Sequence, residues 1–230
     1  MKITIVMPTL NEAATLERPL AAALAAADEV VVSDGGSTDG TPEIARRLGA
    51  RVVSGPPGRG GQLTRGAQSS VLGSRGDPTD VLLFLHADTF LPPEAAQAVR
   101  AAIAAGAVGG AFRVRFDVDR PLLRLGARLI NLRTRWTGLP LGDQAQFVRR
   151  DVFERLAGFR DWPILEDLDL AMRLKREGRT VLLGGCVTTA ARRFVNLGIV
   201  RTVATNWLIW SLFALGVSPH RLVRLYYRLR

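Results

Sequence analysis

Two aspartates follow short apolar runs of the sequence, close to positions where strands would end. Asp34 follows the run Glu-Val-Val-Val-Ser and precedes two glycines, and Asp88 closely follows the apolar run 81–85. In open α/β sheets, ligands bind outside the carboxyl ends of the strands, so we expect both carboxylates at one crevice. Asp34 can accept hydrogen bonds from a base or ribose, and Asp88 can hold Mg²⁺ or Mn²⁺ when a substrate diphosphate supplies further oxygens. The alternatives are a turn at Asp34 and a helix cap at Asp88.

A second acidic pair, Glu166 and Asp167, opens a helical pattern later in the chain. A carboxylate that reaches a substrate hydroxyl can act as a general base. The alternative is that the helix dipole favours acids in the first turn whatever their chemistry. Asp169 and Arg173 in the same pattern are spaced i, i+4, which predicts an exposed ion pair.

Two further groups could meet a ligand. His86 either lines the site or is a hydrogen-bonded structural histidine, and no second His or Cys stands at zinc-ligand spacing. Arg59 lies in the segment Gly-Arg-Gly-Gly, which either binds an anion or is a flexible surface loop. That segment is neither a Walker A loop nor a Gly-x-Gly-x-x-Gly turn, which argues against a P-loop kinase and a classical Rossmann dehydrogenase.

Alternating strands and helices must position these residues. In the first half, strands are predicted at 3–7, 29–33, 51–54 and 81–85, and helices at 12–27 with Asn11 as its N-cap, 41–48, 62–70 and 93–105. In the second half, strands are predicted at 111–116 and 146–149, and helices at 122–134, 165–177, 196–216 and 219–229. The alternation predicts an α/β fold with a mostly parallel central sheet flanked by helices. We expect one domain, with a nucleotide-binding half (1–108), an acceptor-facing half (109–195) and C-terminal helices (196–230).

The chain is basic, and the excess lies at its C-terminal end. Its 230 residues carry 31 Lys and Arg against 21 Asp and Glu, a net charge of +10, with no Asp or Glu from 187 to 230. The lone Cys186 excludes an intramolecular disulfide and suits the reducing cytoplasm. The apolar run 203–217 contains polar interruptions and is shorter than the roughly 20 residues that a bilayer span needs.

Aromatic and basic residues are interleaved in this C-terminal region. They are Trp207, Trp210, Phe213, Tyr226 and Tyr227, with Arg201, Arg221, Arg224, Arg228 and Arg230. This mixture is typical of an interfacial helix, which predicts peripheral contact with the anionic inner face of a membrane. Packing on the core or on a second subunit, as in a homodimer, is the alternative. No recognised nucleic-acid motif is present, so we expect no nucleic-acid partner.

An ordered set of segments resembles glycosyltransferase family 2, whose members have the GT-A fold. The segments are PTLNE at 8–12, DGGSTDGT at 34–41, GRGGQLTRGA at 58–67, HADT at 86–89, GDQAQFVRRDVF at 142–153, and a Gly-Phe pair followed by ILEDLDLAMRLKREG ending at Gly178. The resemblance covers about 3–178, and its specificity comes from the order of the whole set. The HADT and GDQ segments look most like a small bacterial subfamily associated with radical-SAM/selenodomain proteins.

The resemblance implies a role for each matching position. Pro8, Thr9 and Glu12 would line the nucleotide pocket, Asp34 would contact the base, and Arg59 would flank it. His86 occupies the position of the first acid of the family's D-x-D motif, and Asp88 that of its last, metal-binding acid. Asp167 would be the general base of an inverting transfer, with Glu166, Asp143 and Gln144 shaping the sugar or acceptor pocket. Arg192 and Arg193 would approach the diphosphate. Mg²⁺ or Mn²⁺, a nucleotide-diphosphate sugar and an acceptor that the sequence does not identify are the implied cofactor and partners.

Two other functions compete with sugar transfer. A nucleotidyltransferase also binds a nucleotide and a metal on an α/β sheet, but it would carry a Gly-rich basic loop directly after the first strand, where this chain has Pro-Thr-Leu-Asn-Glu. A non-catalytic membrane-surface binding protein would use the basic, aromatic C-terminal region.

Overall fold

A computed structural model describes residues 1–71, 80–192, 194 and 198–229 of the chain. Eight strands form one sheet in the order β3-β2-β1-β4-β7-β6-β8-β5. The strands are β1 Ile3–Thr9, β2 Glu29–Asp34, β3 Arg51–Ser54, β4 Val81–Phe84, β5 Thr89–Phe90, β6 Gly109–Phe116, β7 Phe147–Arg149 and β8 Thr180–Thr189. The described helices are α1 Glu17–Ala26, α2 Thr41–Arg47, α3 Arg59–Ser69, α4 Ala95–Ala104, α5 Pro121–Thr137, α6 Arg150–Arg155, α7 Glu166–Glu177, α8 Ile199–Ala214 and α9 Pro219–Leu229, with a 3₁₀ turn at Gly142–Gln144.

The N-terminal half of the sheet is parallel. β1 pairs with β2 on one side and β4 on the other, and β2 pairs with β3. Val30, Val31 and Val32 of β2 are buried, as expected for a strand covered by helices on both faces of the sheet. Because β1, β2 and β4 run in the same direction, their carboxyl ends, including Thr9 and Asp34, lie at one edge.

The second half of the sheet is mixed. β7 is antiparallel to both β4 and β6, β8 is parallel to β6, and β5 is antiparallel to β8. The predicted α/β fold with a largely parallel sheet is confirmed. β5 and β8 were not predicted, because β5 has two residues and β8 contains Gly184 and Gly185, which weaken a strand signal.

The first helix begins later than predicted, and Asn11 is not its N-cap. α1 begins at Glu17, after a turn in which Thr15 and Leu16 both donate to the Glu12 carbonyl. Asn11 has a left-handed backbone with φ 54° and accepts a hydrogen bond from the Thr38 N–H through its side chain. The competing side-chain contact therefore outweighs the capping preference of asparagine.

The Asp169–Arg173 pair forms, but the prediction that it is exposed is wrong. Asp169 is 4% exposed, and its carboxylate accepts from Arg173 at 2.7 Å while Arg160 lies 3.3 Å away. Arg173 also donates to the carbonyls of Leu156 and Gly158. This pair therefore anchors the start of α7 to the preceding loop, because a buried charge requires such partners.

The C-terminal helices leave large apolar side chains at the surface. α8 packs against α5 and α9. Trp207 is 58% exposed and Leu215 80% exposed. Within the described parts of the chain, no helix combines the length and hydropathy that crossing a bilayer requires.

Candidate active site

The loops after β1 and β2 are joined at their strand ends. The Thr9 hydroxyl donates to Asp34 Oδ1 at 3.2 Å, and the Gln62 amide nitrogen donates to the carbonyls of Thr9 and Ser33, each at 2.8 Å. Gln62 also accepts from the Gly58 N–H. Gln62 therefore fixes α3 against both strand ends.

Asp34 is 1% exposed and lies inside a tight turn. Burial opposes its ionisation, but hydrogen bonds from Ser37, the Gly36 N–H and Thr9 prevail and hold the pKa of the Asp34 carboxyl below its ordinary value. Gly36 has φ 92°, a conformation that favours glycine at this position. The Asp34 carboxylate thus holds the turn together, which agrees with the interpretation of Asp34 as a turn residue. Asp34 also lies at the carboxyl end of β2, the position that a ligand contact would need.

The segment after β1 is held against the loop after β2. The Asn11 N–H donates to Ser37 Oγ, and the Glu12 N–H donates to Thr41 Oγ1. The Glu12 carboxylate accepts from the Thr15 hydroxyl at 2.8 Å. Pro8 and Thr9 complete β1, and this connected pair of loops forms the edge of the sheet where a nucleotide is expected.

Arg59 is the first residue of α3 and points toward α7. Its Nε lies 3.7 Å from Glu166 Oε1. A Cβ at the neighbouring Gly60 would lie 2.6 Å from the Arg160 carbonyl oxygen, so only glycine permits this close approach. The loop-to-helix junction therefore connects the nucleotide-binding half with the predicted catalytic pair.

Glu166 and Asp167 have different environments. Glu166 is 3% exposed, whereas Asp167 is half-buried. Burial, with the neighbouring Asp167 charge, raises the pKa of Glu166 to about 7, and Arg59 partly opposes this. Asp167 is thus the more accessible member of the pair, while the charge of the buried Glu166 is sensitive to pH near neutrality.

Gly142 brings His86 and Asp167 together. The Gly142 N–H donates to Asp167 Oδ2 at 2.5 Å. A Cβ at Gly142 would lie 3.0 Å from His86 Nε2 and 3.1 Å from Asp167 Oδ2. Residues from the end of β4, the 3₁₀ turn and the first turn of α7 therefore converge at one point, although they are far apart in the sequence.

Asp88 and Glu12 share one arginine. Arg192 Nη2 lies 3.7 Å from Asp88 Oδ2 and 3.9 Å from Glu12 Oε2. Arg192 therefore lies beside the two carboxylates that follow β1 and β4, where a diphosphate was predicted. Arg193, the other predicted diphosphate residue, lies outside the described residues.

Asp143 and Gln144 differ in what they offer a ligand. Gln144 is fully buried: its amide donates to the Phe112 carbonyl and its oxygen accepts from the Thr134 hydroxyl. Asp143 lines a cavity together with Arg133. Burial lowers the pKa of Arg133, while the charges of Asp143 and Asp167 raise it. Gln144 thus holds the 3₁₀ turn in place, and Asp143 is partly buried in the wall of the cavity.

Sequence reasoning did not assign roles to Gln62, Arg133 or Gly142. Gln62 and Gly142 lie inside the segments that resemble the family. The sequence feature that could have identified them is their position close to Arg59 and Asp143, two predicted site residues. Arg133 lies in an Arg/Leu amphipathic pattern, where one arginine cannot be told from the others. Only the packing of α5 against α8 separates Arg133 from the rest of the pattern.

The donor set around Asp88 fits a metal that the substrate helps to bind. Over residues 1–71, 80–192, 194 and 198–229, no three His, Cys, Asp or Glu side chains are grouped as ligands for a metal ion. Mg²⁺ is commonly held by one or two carboxylates together with substrate phosphates and water. The single carboxylate of Asp88 meets that requirement once a diphosphate supplies the other oxygens.

Known proteins share both the sequence pattern and the fold. An uncharacterized glycosyltransferase of Rickettsia bellii (strain RML369-C) is 49% identical over 55 residues, or 24% of this chain and 19% of that protein. The S. aureus TarS 1-349 structure has a TM-score of 0.62 at 18% identity, over 89% of this chain and 64% of that chain. The chain thus spans less than two thirds of these two proteins.

A second solved structure gives the same fold. Glucosyl-3-phosphoglycerate synthase from Mycobacterium tuberculosis, in complex with Mn²⁺, UDP and glucosyl-3-phosphoglycerate, has a TM-score of 0.54 at 24% identity, over 80% of this chain and 70% of that chain. These likenesses confirm the GT-A type of fold. The family model described as Glycosyl transferase family 2 matches residues 4–157, more than half of the chain. The chain therefore belongs to glycosyl transferase family 2.

Proposed function

We propose that the protein transfers a hexose-like sugar from a nucleotide-diphosphate sugar to an acceptor hydroxyl, with inversion at the anomeric carbon. The observation that carries this proposal is the meeting of Asp167 and His86 at Gly142, beside the segment that ends in Asp88. A base and a metal-binding carboxylate are both needed within reach of one sugar diphosphate.

In the proposed reaction, Asp167 takes the proton of the acceptor hydroxyl as that oxygen attacks. The oxygen forms a bond to the anomeric carbon on the face opposite the nucleotide. The bond between the anomeric carbon and the diphosphate oxygen breaks, and the nucleoside diphosphate leaves with the electron pair. A positioned base of this kind typically contributes about 10²–10⁴-fold to the rate.

Glu166 is not the proposed base although its pKa is raised to about 7. A general base must come within hydrogen-bond reach of the hydroxyl, and Glu166 is only 3% exposed. Its proposed role is to shape the sugar pocket and to influence the charge of Asp167. Asp143 and Gln144 are assigned to the same pocket, Asp143 toward the ligand and Gln144 as support.

The joined loops after β1 and β2 are the proposed nucleotide pocket, with Pro8, Thr9, Glu12, Asp34 and Arg59. TarS has been crystallised with UDP-GlcNAc and with UDP, and the mycobacterial synthase with UDP. These complexes favour a uridine nucleotide as the donor of this protein as well. The HADT and GDQ segments further support placing it in the radical-SAM/selenodomain-associated subfamily.

Asp88 would hold Mg²⁺ or Mn²⁺, which would supply charge neutralisation at the departing diphosphate. The mycobacterial synthase contains Mn²⁺ in its complex, which supports the same class of cation here. Arg192 adds a positive charge at the same place, 3.7 Å from Asp88. Arg193 is proposed for the same role on the resemblance alone.

We propose a cytoplasmic location with peripheral contact to an anionic membrane, and the surface of the C-terminal helices supports the membrane contact. α9 carries basic residues and exposed Tyr227, and α8 carries exposed Trp207 and Leu208. Apolar side chains beside arginines suit the interfacial plane. A homodimer through the same surface is the competing arrangement.

A donor screen tests the proposed function. Thermal shift with uridine, guanosine and thymidine diphosphate sugars, each with and without Mn²⁺, should give a selective shift that needs the metal. Release of the nucleoside diphosphate should follow when acceptors are supplied. Pyrophosphate release from a nucleoside triphosphate and a sugar phosphate would instead identify a nucleotidyltransferase and overturn the proposal.

A further inference from the structure

A largely apolar cavity of about 130 Å³, open to solvent along one side, lies between α5 and α8, next to the proposed site. Its wall includes Leu122, Leu129 and Trp207. Leu129 is 52% exposed and Trp207 58% exposed, so large apolar surfaces of this wall face solvent. Covering such surface releases free energy of about 25 cal/mol per Å². An occupant with a long apolar segment therefore fits the cavity.

Part of the cavity wall is polar, since Arg133, Asp143 and Asn206 are among the lining residues. Arg133 Nε and Trp210 Nε1 are both buried, and neither has a hydrogen-bond partner among the residues that the structure describes. The two side chains are stacked, with Arg133 Cζ 5.2 Å from the centre of the Trp210 ring. Because these two nitrogens have almost no accessible surface, a ligand in the cavity contacts other atoms of Arg133, together with Asp143 and Asn206. These polar groups favour a ligand that brings hydroxyl groups to this part of the cavity.

The charge at this end argues for a neutral oxygen-bearing group. The positive charge of Arg133 already faces the negative charges of Asp143 and Asp167. A further anion would therefore meet two carboxylates, whereas a hydroxyl group can hydrogen-bond to Asp143 or Asn206 without adding charge. Asp143 lies one residue after Gly142, whose N–H binds Asp167, so the polar part of the cavity wall adjoins the segment that holds the proposed base.

We propose that this cavity binds an amphiphilic acceptor, a molecule with a long apolar chain and a neutral head group that bears hydroxyls. The chain lies along Leu122, Leu129 and Trp207, and the head group lies against Arg133, Asp143 and Asn206, the polar residues of the lining. This places one head-group hydroxyl toward Asp167. The inference rests on the proposed glycosyl transfer and adds to it the chemical class of the acceptor.

Alkyl maltosides are suitable probes because they pair an apolar chain with a neutral polyhydroxyl head. Brominated dodecyl maltoside, kept below its critical micelle concentration, should quench the fluorescence of Trp207 and Trp210 with saturation. Unbrominated dodecyl maltoside should compete, and maltose, which lacks the chain, should not. Absence of saturable quenching would overturn the proposal.

Two substitutions on α5 separate the cavity from the general surface. Gly126 lines the cavity, and a Cβ there would meet nothing within 4 Å, so Gly126→Phe adds a ring at the cavity wall without a clash at its Cβ. Leu125→Phe adds a ring at an exposed neighbouring position that does not line the cavity. Gly126→Phe should weaken the affinity for the probe by about tenfold or more, whereas Leu125→Phe should leave that affinity unchanged. Equal affinity in the two variants would also overturn the proposal.

Further measurements on the same samples distinguish failure of the amphiphile site from failure of the proposed function. A protein that shows metal-dependent binding of a nucleotide sugar but no saturable quenching retains the proposed function and loses the amphiphile site. Binding of the probe at the cavity without binding of any nucleotide sugar would support the amphiphile site and contradict the proposed function. A dimer that Gly126→Phe dissociates, without probe binding, would identify a second copy of the chain as the occupant and overturn the amphiphile proposal.

Discussion

Asp167 accepts a hydrogen bond from the backbone N–H of Gly142 across 2.5 Å, which ties the first turn of α7 to the 3₁₀ turn that precedes β7. The Gln146 amide strengthens this link, since it donates to the carbonyls of Pro140 and Asp167. Because the donor in the first contact is a backbone group, no substitution at position 142 other than proline removes it. The position of Asp167 is therefore set mainly by the space that Gly142 leaves open.

Gly142→Ala should lower turnover while leaving the fold intact. The new Cβ would lie about 3 Å from both His86 Nε2 and Asp167 Oδ2, so these side-chain ends must move. Displacing a catalytic group by a fraction of an ångström to 1 Å can cost up to about 10²-fold in rate. We expect a decrease of this order in nucleoside diphosphate release, with a nearly unchanged Tm.

Gly184→Ala is the matched control, because a Cβ there meets nothing within 4 Å. It should keep wild-type turnover. If Gly142→Ala is as active as Gly184→Ala, the space at Gly142 does not control the site.

Asp167→Asn should abolish most turnover and spare donor binding. Asparagine keeps an oxygen that can accept from the Gly142 N–H, but it cannot take a proton from the acceptor. The expected loss in kcat is about 10²–10⁴-fold. Thermal shift with the donor sugar should remain as in the wild type, and Asp161→Asn on the exposed loop should behave as the wild type in both assays. Wild-type turnover by Asp167→Asn with several acceptors would reject the base assignment.

Asp88→Asn should remove the metal dependence of donor binding. The carboxylate of Asp88 is the protein's proposed ligand to the cation, and an amide is a weaker ligand for a hard divalent ion. The additional thermal shift that Mn²⁺ gives with the donor should therefore be lost, and turnover should fall with it. Asp119→Asn, a substitution at an exposed carboxylate that pairs with Arg124, is the control. An Mn²⁺ effect of wild-type size in Asp88→Asn would place the cation elsewhere.

The parallel half of the fold could be predicted because its strands are short buried runs that end in polar residues. Val30 to Val32 and Asp34 show this pattern most clearly. β8 could not be predicted, because Gly184 and Gly185 interrupt its periodicity and its stability comes from pairing with β6. Bounds also shifted where a side chain found a distant partner, as Asn11 did with Thr38.

The candidate residues could be named from the sequence, but their geometry could not be predicted from it. The sequence places Glu166 and Asp167 side by side with equal chemistry, and only the packing of α3 and the 3₁₀ turn distinguishes the buried acid from the reachable one. In the same way, Arg133 becomes distinctive only where α5 meets α8. Long-range packing supplies information that no local pattern contains.

Glu166→Gln should change how stability depends on pH. Burial and the Asp167 charge raise the pKa of Glu166 from 4.5 to about 7, so the folded state binds a proton that the unfolded state has lost between these values. The stabilisation linked to this proton is complete below about pH 4.5 and is lost as the pH rises through 7. At pH 8 the wild type is therefore less stable because its buried Glu166 is ionised, whereas glutamine at this position stays neutral.

Urea unfolding at pH 5 and pH 8 measures this difference. We expect Glu166→Gln to match the wild type at pH 5 and to exceed its free energy of unfolding at pH 8 by on the order of 1–3 kcal/mol. Comparing the two proteins at each pH cancels the contribution of all other groups that titrate in this range. Glu43→Gln makes the same chemical change at an exposed side chain and should give no pH-dependent difference. A stability gap between Glu166→Gln and the wild type that is the same at both pH values would show that Glu166 remains ionised throughout, held by Arg59 against the desolvation.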